Sequence, residues 1–353
     1  MQQRKFTLFA CLFALGAAFP AAGFGQIKAN ATAADVGLYA GPDRLQKLIE
    51  GAKKEGELTL YTSAQSDDMG ALVGAFEKKY GVKVSVWRAS SEKVLQRAIA
   101  EARANRNTVD LVETNGPELE SLHREQVLQQ VKSPHHADLI APAIRPHGEW
   151  VGTRLNVFVH AYNTKAVKKE DLPKTWEDLL DPKWKGKLGI EAYDHDWYAG
   201  VIGELGEPGH KLFRDIVAAN GISVRKGHTL LSNLVVSGEV PLALTVYHYR
   251  AEALKVKGAP IDWFVFPPAI ARPNGVAMAR RAPHPHAAAL FFDFMLSDAQ
   301  EILLNRSFTP TSTRLAGALK NVPAFKFVDP KVILDEGEKW TRLYEEAFIK
   351  QAR

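Results

Sequence analysis

Cysteine is almost missing from this sequence: Cys11 is the only one in 353 residues, and it falls inside the first apolar run. The remaining chain has no thiol to pair, so its stability has to come from a packed core. Long apolar runs are equally scarce. Past residue 25 none approaches the roughly 20 residues that a membrane-spanning helix needs. Runs of one charge are missing too. Lys and Arg total 45 against 40 Asp and Glu, a formal charge of +5, without the basic stripe of a nucleic-acid surface. Signatures of catalysis are also lacking. There is no H-E-x-x-H to hold a hydrolytic metal, no G-x-S-x-G nucleophile elbow and no G-x-x-x-x-G-K-[ST] phosphate loop. The chain is therefore expected to be no enzyme, and to hydrolyse no ATP itself.

What is present begins with the first 25 residues. Arg4 and Lys5 form a basic start, residues 6–22 are almost wholly apolar, and Ala21, Ala22, Gly23 and Gly25 close the run. This pattern reads as a secretory signal peptide, cleaved near Gly23 or Gly25. Leu8-Phe9-Ala10-Cys11 imitates a lipoprotein box, but the apolar run continues past Cys11, which favours plain cleavage. The expected product is a monomer outside the cytoplasm. Losing Arg4 and Lys5 lowers the formal charge to +3, which suits small anionic solutes and equally well serves solubility.

About 325 residues then remain, enough for two lobes. Apolar spacing predicts helices over 43–56, 67–80 and 92–105, with short strands at 57–62, 82–87 and 109–113. Strand and helix alternate, which argues an α/β lobe with a largely parallel sheet. Residues 149–162 read as a long strand crossing between lobes. Beyond it, a short helix is predicted over 171–180. Strands follow at 187–191, 240–247, 261–266 and 275–279. Helices are predicted at 197–205, 210–220, 229–237, 249–257, 287–297, 298–305 and from 329 onward.

Several stretches carry a family resemblance: ELTLYTS, SSEKVLQRAIAE, LPKTWEDLLDPKWKGKLGI, VSGEVPLALTVY, KGAPIDWFVFPP and APHPHAAALFFDFMLSDAQE. The chain resembles the extracellular solute-binding proteins of ABC importers, in the group of ferric-iron, thiamine and phosphonate binders. The resemblance implies a two-lobed α/β periplasmic-binding-protein fold of type II, each lobe a mixed sheet flanked by helices. Lobe one would hold residues 34–150 and 268–315, lobe two residues 151–267, with terminal helices of 316–353 packed on it. A ligand would bind in the cleft between lobes that close by hinge motion. The closed form would dock on a membrane permease; a sensor for a membrane receptor would share the same fold.

In such sheets ligands sit beyond the carboxyl ends of strands, where helices begin. That rule nominates Thr62, Ser63 and Gln65 after the first strand, Ser90 and Ser91 before the helix at 92, and Asn115 after the third strand. Each hydroxyl or amide can serve an anion at a helix start, and each can equally cap the helix or form a turn. The run Tyr193-Asp194-His195-Asp196-Trp197-Tyr198 follows a strand and opens a helix, so Asp194 and Trp197 are candidates; capping and core packing are their alternatives. Tyr247-His248-Tyr249-Arg250 follows another strand. Ferric-iron members of the family carry two adjacent tyrosines here, and phenolate suits a hard Fe(III) ion. In this chain His248 separates Tyr247 from Tyr249, so the pair is interrupted. Iron, carried as the transported ligand, is the leading expectation with Tyr247 and Tyr249 as its ligands; no resident cofactor is expected. A small carboxylate or phosphonate gripped by Arg250 is the alternative, and thiamine over Asp194, Asp196 and Trp197 a third. Arg154 and Asn274 are weaker candidates. His135-His136 and His284-Pro285-His286 lack metal-ligand spacing and read as surface loops.

Overall fold

A computed structural model describes residues 31–315 and 325–350. The proposed leader, Cys11 included, and residues 316–324 lie outside the described residues. The chain opens with α1 (Ala33–Gly37), α2 (Arg44–Glu55), β1 (Glu57–Thr62), α3 (Ser66–Tyr80), β2 (Lys83–Arg88), α4 (Ser91–Arg103), β3 (Leu111–Asn115), α5 (Gly116–Arg124) and β4 (Leu128–Gln129). α2 and α3 end on Gly56 and Gly81 in the left-handed conformation, each after a pair of lysines, which stops the helix and complements its negative end. β1 pairs in parallel with both β2 and β3, as the alternating pattern predicts.

β5 (Trp150–Asn163) is buried at all 14 positions, the mark of a strand covered on both faces. It is followed by short 3₁₀ turns, including Glu177–Leu180, where a helix over 171–180 was expected. Pro173 and Pro182 bracket that stretch and prevent regular continuation. Next come β6 (Leu188–Glu191), α6 (His195–Leu205), α7 (Glu207–Asn220), β7 (Ser223–Arg225), α8 (His228–Ser237), β8 (Leu242–Tyr247), α9 (His248–Val256) and β9 (Ile261–Phe264). The chain returns through β10 (Ala269–Ala279), α10 (Pro285–Leu296), α11 (Asp298–Asn305) and β11 (Thr309–Pro310), and closes with β12 (Phe325–Phe327), α12 (Pro330–Asp335) and α13 (Gly337–Tyr344). β10 is longer than the strand predicted at 275–279. Its first half carries Pro273 and follows Pro267-Pro268, residues that read as breakers.

The strands run β2-β1-β3-β10-β5-β8-β6-β7. β5 joins the two halves. Through Val157 it pairs with β10, and from Phe158 onward with β8 and β9. β10 lies antiparallel between β3 and β5. At its bulge a side chain on Gly275 would collide with the Val151 carbonyl, so only glycine permits this close approach. One core forms beneath β1–β3 and α10. The other gathers Trp176, Trp197, Phe213 and the terminal Trp340, Tyr344 and Phe348. Each such fully buried large side chain contributes about 1.5–3 kcal/mol. No helix among the described residues is long and apolar enough to cross a membrane.

Candidate functional site

The carboxyl ends of β1, β3, β6 and β8 converge where β5 changes partner. On the lobe-one side, Asn115 closes β3 and is the hub of an amide network. Its Nδ2 donates to Ser91 Oγ at 2.8 Å, and its Oδ1 accepts from Asn156 at 3.1 Å and from Asn274 at 3.2 Å. Thr114 donates to Ser63 at 3.0 Å. Below them, Arg154 of β5 meets Glu113 at 2.5 Å in a fully buried ion pair, and Thr62 donates to the same carboxylate. Two-sided burial of β5 places Arg154, a weaker candidate from the sequence, inside the protein, so its partner is obligatory.

On the lobe-two side, Tyr247 ends β8 and stands between two charged pairs. Arg272 of β10 donates to the Tyr247 hydroxyl oxygen and to Asp196 of α6. On the other side His228, the first residue of α8, lies on the Tyr247 ring with centroids 3.8 Å apart. Its Nε2 is 3.1 Å from Asp194 Oδ1. Burial pushes the Tyr247 hydroxyl well above its ordinary range, and the Arg272 guanidinium pulls the other way. Burial works against a charged His228, yet Asp194 and Glu191 raise it overall; burial likewise opposes the Asp194 charge, while His228 and Arg272 lower that carboxyl overall.

Tyr249, second residue of α9, is stacked on Tyr247 at 5.8 Å and 18°. Its other neighbour is Phe308, at 4.0 Å and 24°. His228, Tyr247, Tyr249 and Phe308 thus form a row of rings that runs from lobe two to lobe one, and Arg154 covers Phe308. Glu118 of α5 has an unpartnered buried Oε2, and burial pushes its carboxyl up to about 7.

The predicted residues divide. Ser63, Ser91, Asn115, Asp194, Tyr247 and Tyr249 meet at this junction, with Asn274 and Arg154. Arg250 follows Tyr249 with a buried, unpartnered Nε. Gln65 and Ser90 precede α3 and α4 without a side-chain cap bond, and Ser90 is exposed. His248 meets Trp263 edge-on at 4.7 Å. Trp197 is a correction: it packs among Trp176, Phe213 and Phe348, because the helical period carries it inward while Asp194 and Asp196 stay at the junction. That removes the aromatic floor expected for thiamine. The histidine loop is also corrected: His284 and His286 are not loose surface groups but pair with Asp110 and Glu55 where α10 begins. Sequence reasoning missed His228, Arg272, Glu113, Glu118 and Phe308. A helix-opening histidine beside a Gly227 turn was the one available signal; nothing local marked the others.

A family model described as bacterial extracellular solute-binding protein matches residues 107–330. The chain belongs to that family. Among its relatives, Iron uptake protein A1 of Synechocystis is 25% identical over 268 residues, 71% of this chain and 74% of that one. Iron-bound HitA from Pseudomonas aeruginosa superposes with a TM-score of 0.70 at 24% identity, covering 82% of this chain and 99% of the other. The periplasmic binding protein AfuA of Actinobacillus pleuropneumoniae, with fructose-6-phosphate bound, gives 0.73 at 22% identity over 84% and 99%. This solute-binding protein therefore has the two-lobed type II fold. Its family is one of binding and transport.

Proposed function

We propose that this solute-binding protein captures ferric iron in its cleft and delivers it to the permease of an ABC importer in the inner membrane, after export to the periplasm. The observation that carries the reading is the tyrosine pair. His248 separates Tyr247 from Tyr249 in sequence, yet the two phenol rings lie parallel at the lobe junction. The strand-to-helix turn brings positions 247 and 249 to one side, and His248 goes to Trp263. Two phenolates are hard oxygen ligands suited to Fe(III). The surroundings favour a cation: Glu191, Asp194 and Asp196 outnumber Arg272 around Tyr247. A relative bearing the name of an iron uptake protein supports the same reading. Closure would turn about β5, where it exchanges β10 for β8 and β9.

The test is direct. The protein is incubated with ferric citrate, freed of excess, and measured for metal content and visible absorption. The expected result is about one iron per chain with a tyrosinate charge-transfer band. A colourless, iron-free protein would overturn the reading. That outcome would favour a small organic anion, for which there is a specific observation: Arg154 and Arg272 each present a buried Nε without a partner, and guanidinium binds carboxylate or phosphonate in a fork.

A further inference from the structure

Within that ferric reading, we infer that the imidazole serving the tyrosine pair is His228, bound through Nδ1 and oriented by Asp194. The inference rests on the reading of the cleft as an iron site, and it concerns a residue outside the Tyr-His-Tyr run.

Three observations converge. His228 lies against the Tyr247 ring at 3.8 Å, so its nitrogens share the immediate space of one phenolate. Its two nitrogens are placed unequally. Nε2 faces Asp194 Oδ1 at 3.1 Å, while Nδ1 is buried and has no hydrogen-bond partner. This is the arrangement in which a carboxylate takes one N–H of an imidazole and leaves the opposite nitrogen for a metal. Asp194, 1% exposed, has its second oxygen Oδ2 unpartnered as well. A buried polar atom without a partner is costly, and a metal ion on Nδ1 satisfies that nitrogen.

The neighbouring groups fit these roles. Glu191, Asp194 and His228 bring ligand atoms within 4.8 Å of one another. Glu191 is already engaged: its oxygens accept from the Tyr193 amide at 2.5 Å and the Gly227 amide at 2.8 Å. Those two bonds fix the turn that leads into His228, so Glu191 is a positioning residue and His228 the donor. His248, beside the tyrosines in sequence, also has a buried Nδ1 without a partner, but its ring packs edge-on against Trp263, whereas that of His228 lies on Tyr247. Lobe two thus carries imidazole and phenolates together on α8, β8 and α9.

The experiment uses the full mature protein loaded with ferric citrate. Pulsed EPR reads nitrogen coupling to the iron, and citrate competition reads affinity. Wild type is expected to show histidine-nitrogen coupling that His248→Gln keeps and His228→Gln loses, with affinity falling by about 10–100-fold in His228→Gln and Asp194→Asn. Millimolar imidazole is expected to restore coupling in His228→Ala, which a merely structural role would not allow. Coupling that survives in His228→Gln, disappears in His248→Gln, or is absent from iron-loaded wild type overturns the inference and leaves iron capture standing. A wild type that takes up no iron overturns the reading beneath it.

Discussion

The two walls of the cleft solve different problems. The lobe-one wall is cross-linked: Ser91, Asn115, Asn156 and Asn274 bond to one another and Arg154 meets Glu113, although Arg154 Nε, Asn274 Oδ1 and Glu118 Oε2 keep no partner. Its polar groups are largely consumed in holding β3, β5 and β10 in register. The lobe-two wall has no such amide network: Asp194 and His228 keep free atoms around a buried phenol that Arg272 of β10 reaches from lobe one. Buried polar networks rigidify when satisfied and are costly when not. On the ferric reading, the amide network frames one wall and the phenols and charges of the other take the ligand, with the ring row from His228 to Phe308 as the link.

Four changes break or sharpen that contrast. The largest is Arg154→Ala, which strands the buried Glu113 carboxylate. It is expected to cost about 3–5 kcal/mol of stability, read by urea unfolding; a loss under 1 kcal/mol would show that the lobe-one pair is no frame. Next is Tyr247→Phe on the other wall. Ferric affinity should fall about 100-fold, or about 2.8 kcal/mol, while the far-ultraviolet spectrum stays unchanged. Equal iron binding by the variant would remove Tyr247 from the site.

Asn115→Ala removes the hub of the amide network and leaves partners unmet, at about 1–3 kcal/mol. Calorimetry should register it more strongly than iron titration does, and the reverse order would make lobe one a ligand wall. The smallest change is Glu118→Gln. Burial raises this carboxyl from 4.5 to about 7, so the folded chain keeps a proton that the unfolded chain has lost. Its stabilising contribution is present below about pH 4.5 and is lost as pH rises through 7. Removing the titration should raise the melting temperature relative to wild type at pH 8 and do less at pH 5. A difference independent of pH would count against titration of Glu118.

Much of the fold was legible because apolar spacing sets it. β1, the helix ending at Tyr80 and the long crossing strand follow directly from alternation and helical period. β10 was half hidden because Pro273 reads as a breaker, although its flanking strands tolerate it there. Part of the candidate site was legible through one rule, that ligands lie past strand ends; it nominated Asn115, Asp194 and Tyr247, which the fold brings to one junction. The rest depends on distance in space. Arg272 reaches Asp196 and Tyr247 across 76 and 25 positions, and no local pattern announces such a meeting. Trp197 shows the converse: its sequence neighbours reach the cleft, yet helix geometry turns it inward.

β10 has a consequence in time. It sits between β3 and β5, yet it is made after both, and after strands β6 to β9 of lobe two. The first sheet therefore waits with an empty central place until Ala269–Ala279 arrives. Lobe two has its strands β6 to β9 in hand by then. Closing so large a loop delays pairing, which sets an order for the two sheets: that of lobe two has its strands early, and that of lobe one is closed late by a strand threaded into its middle.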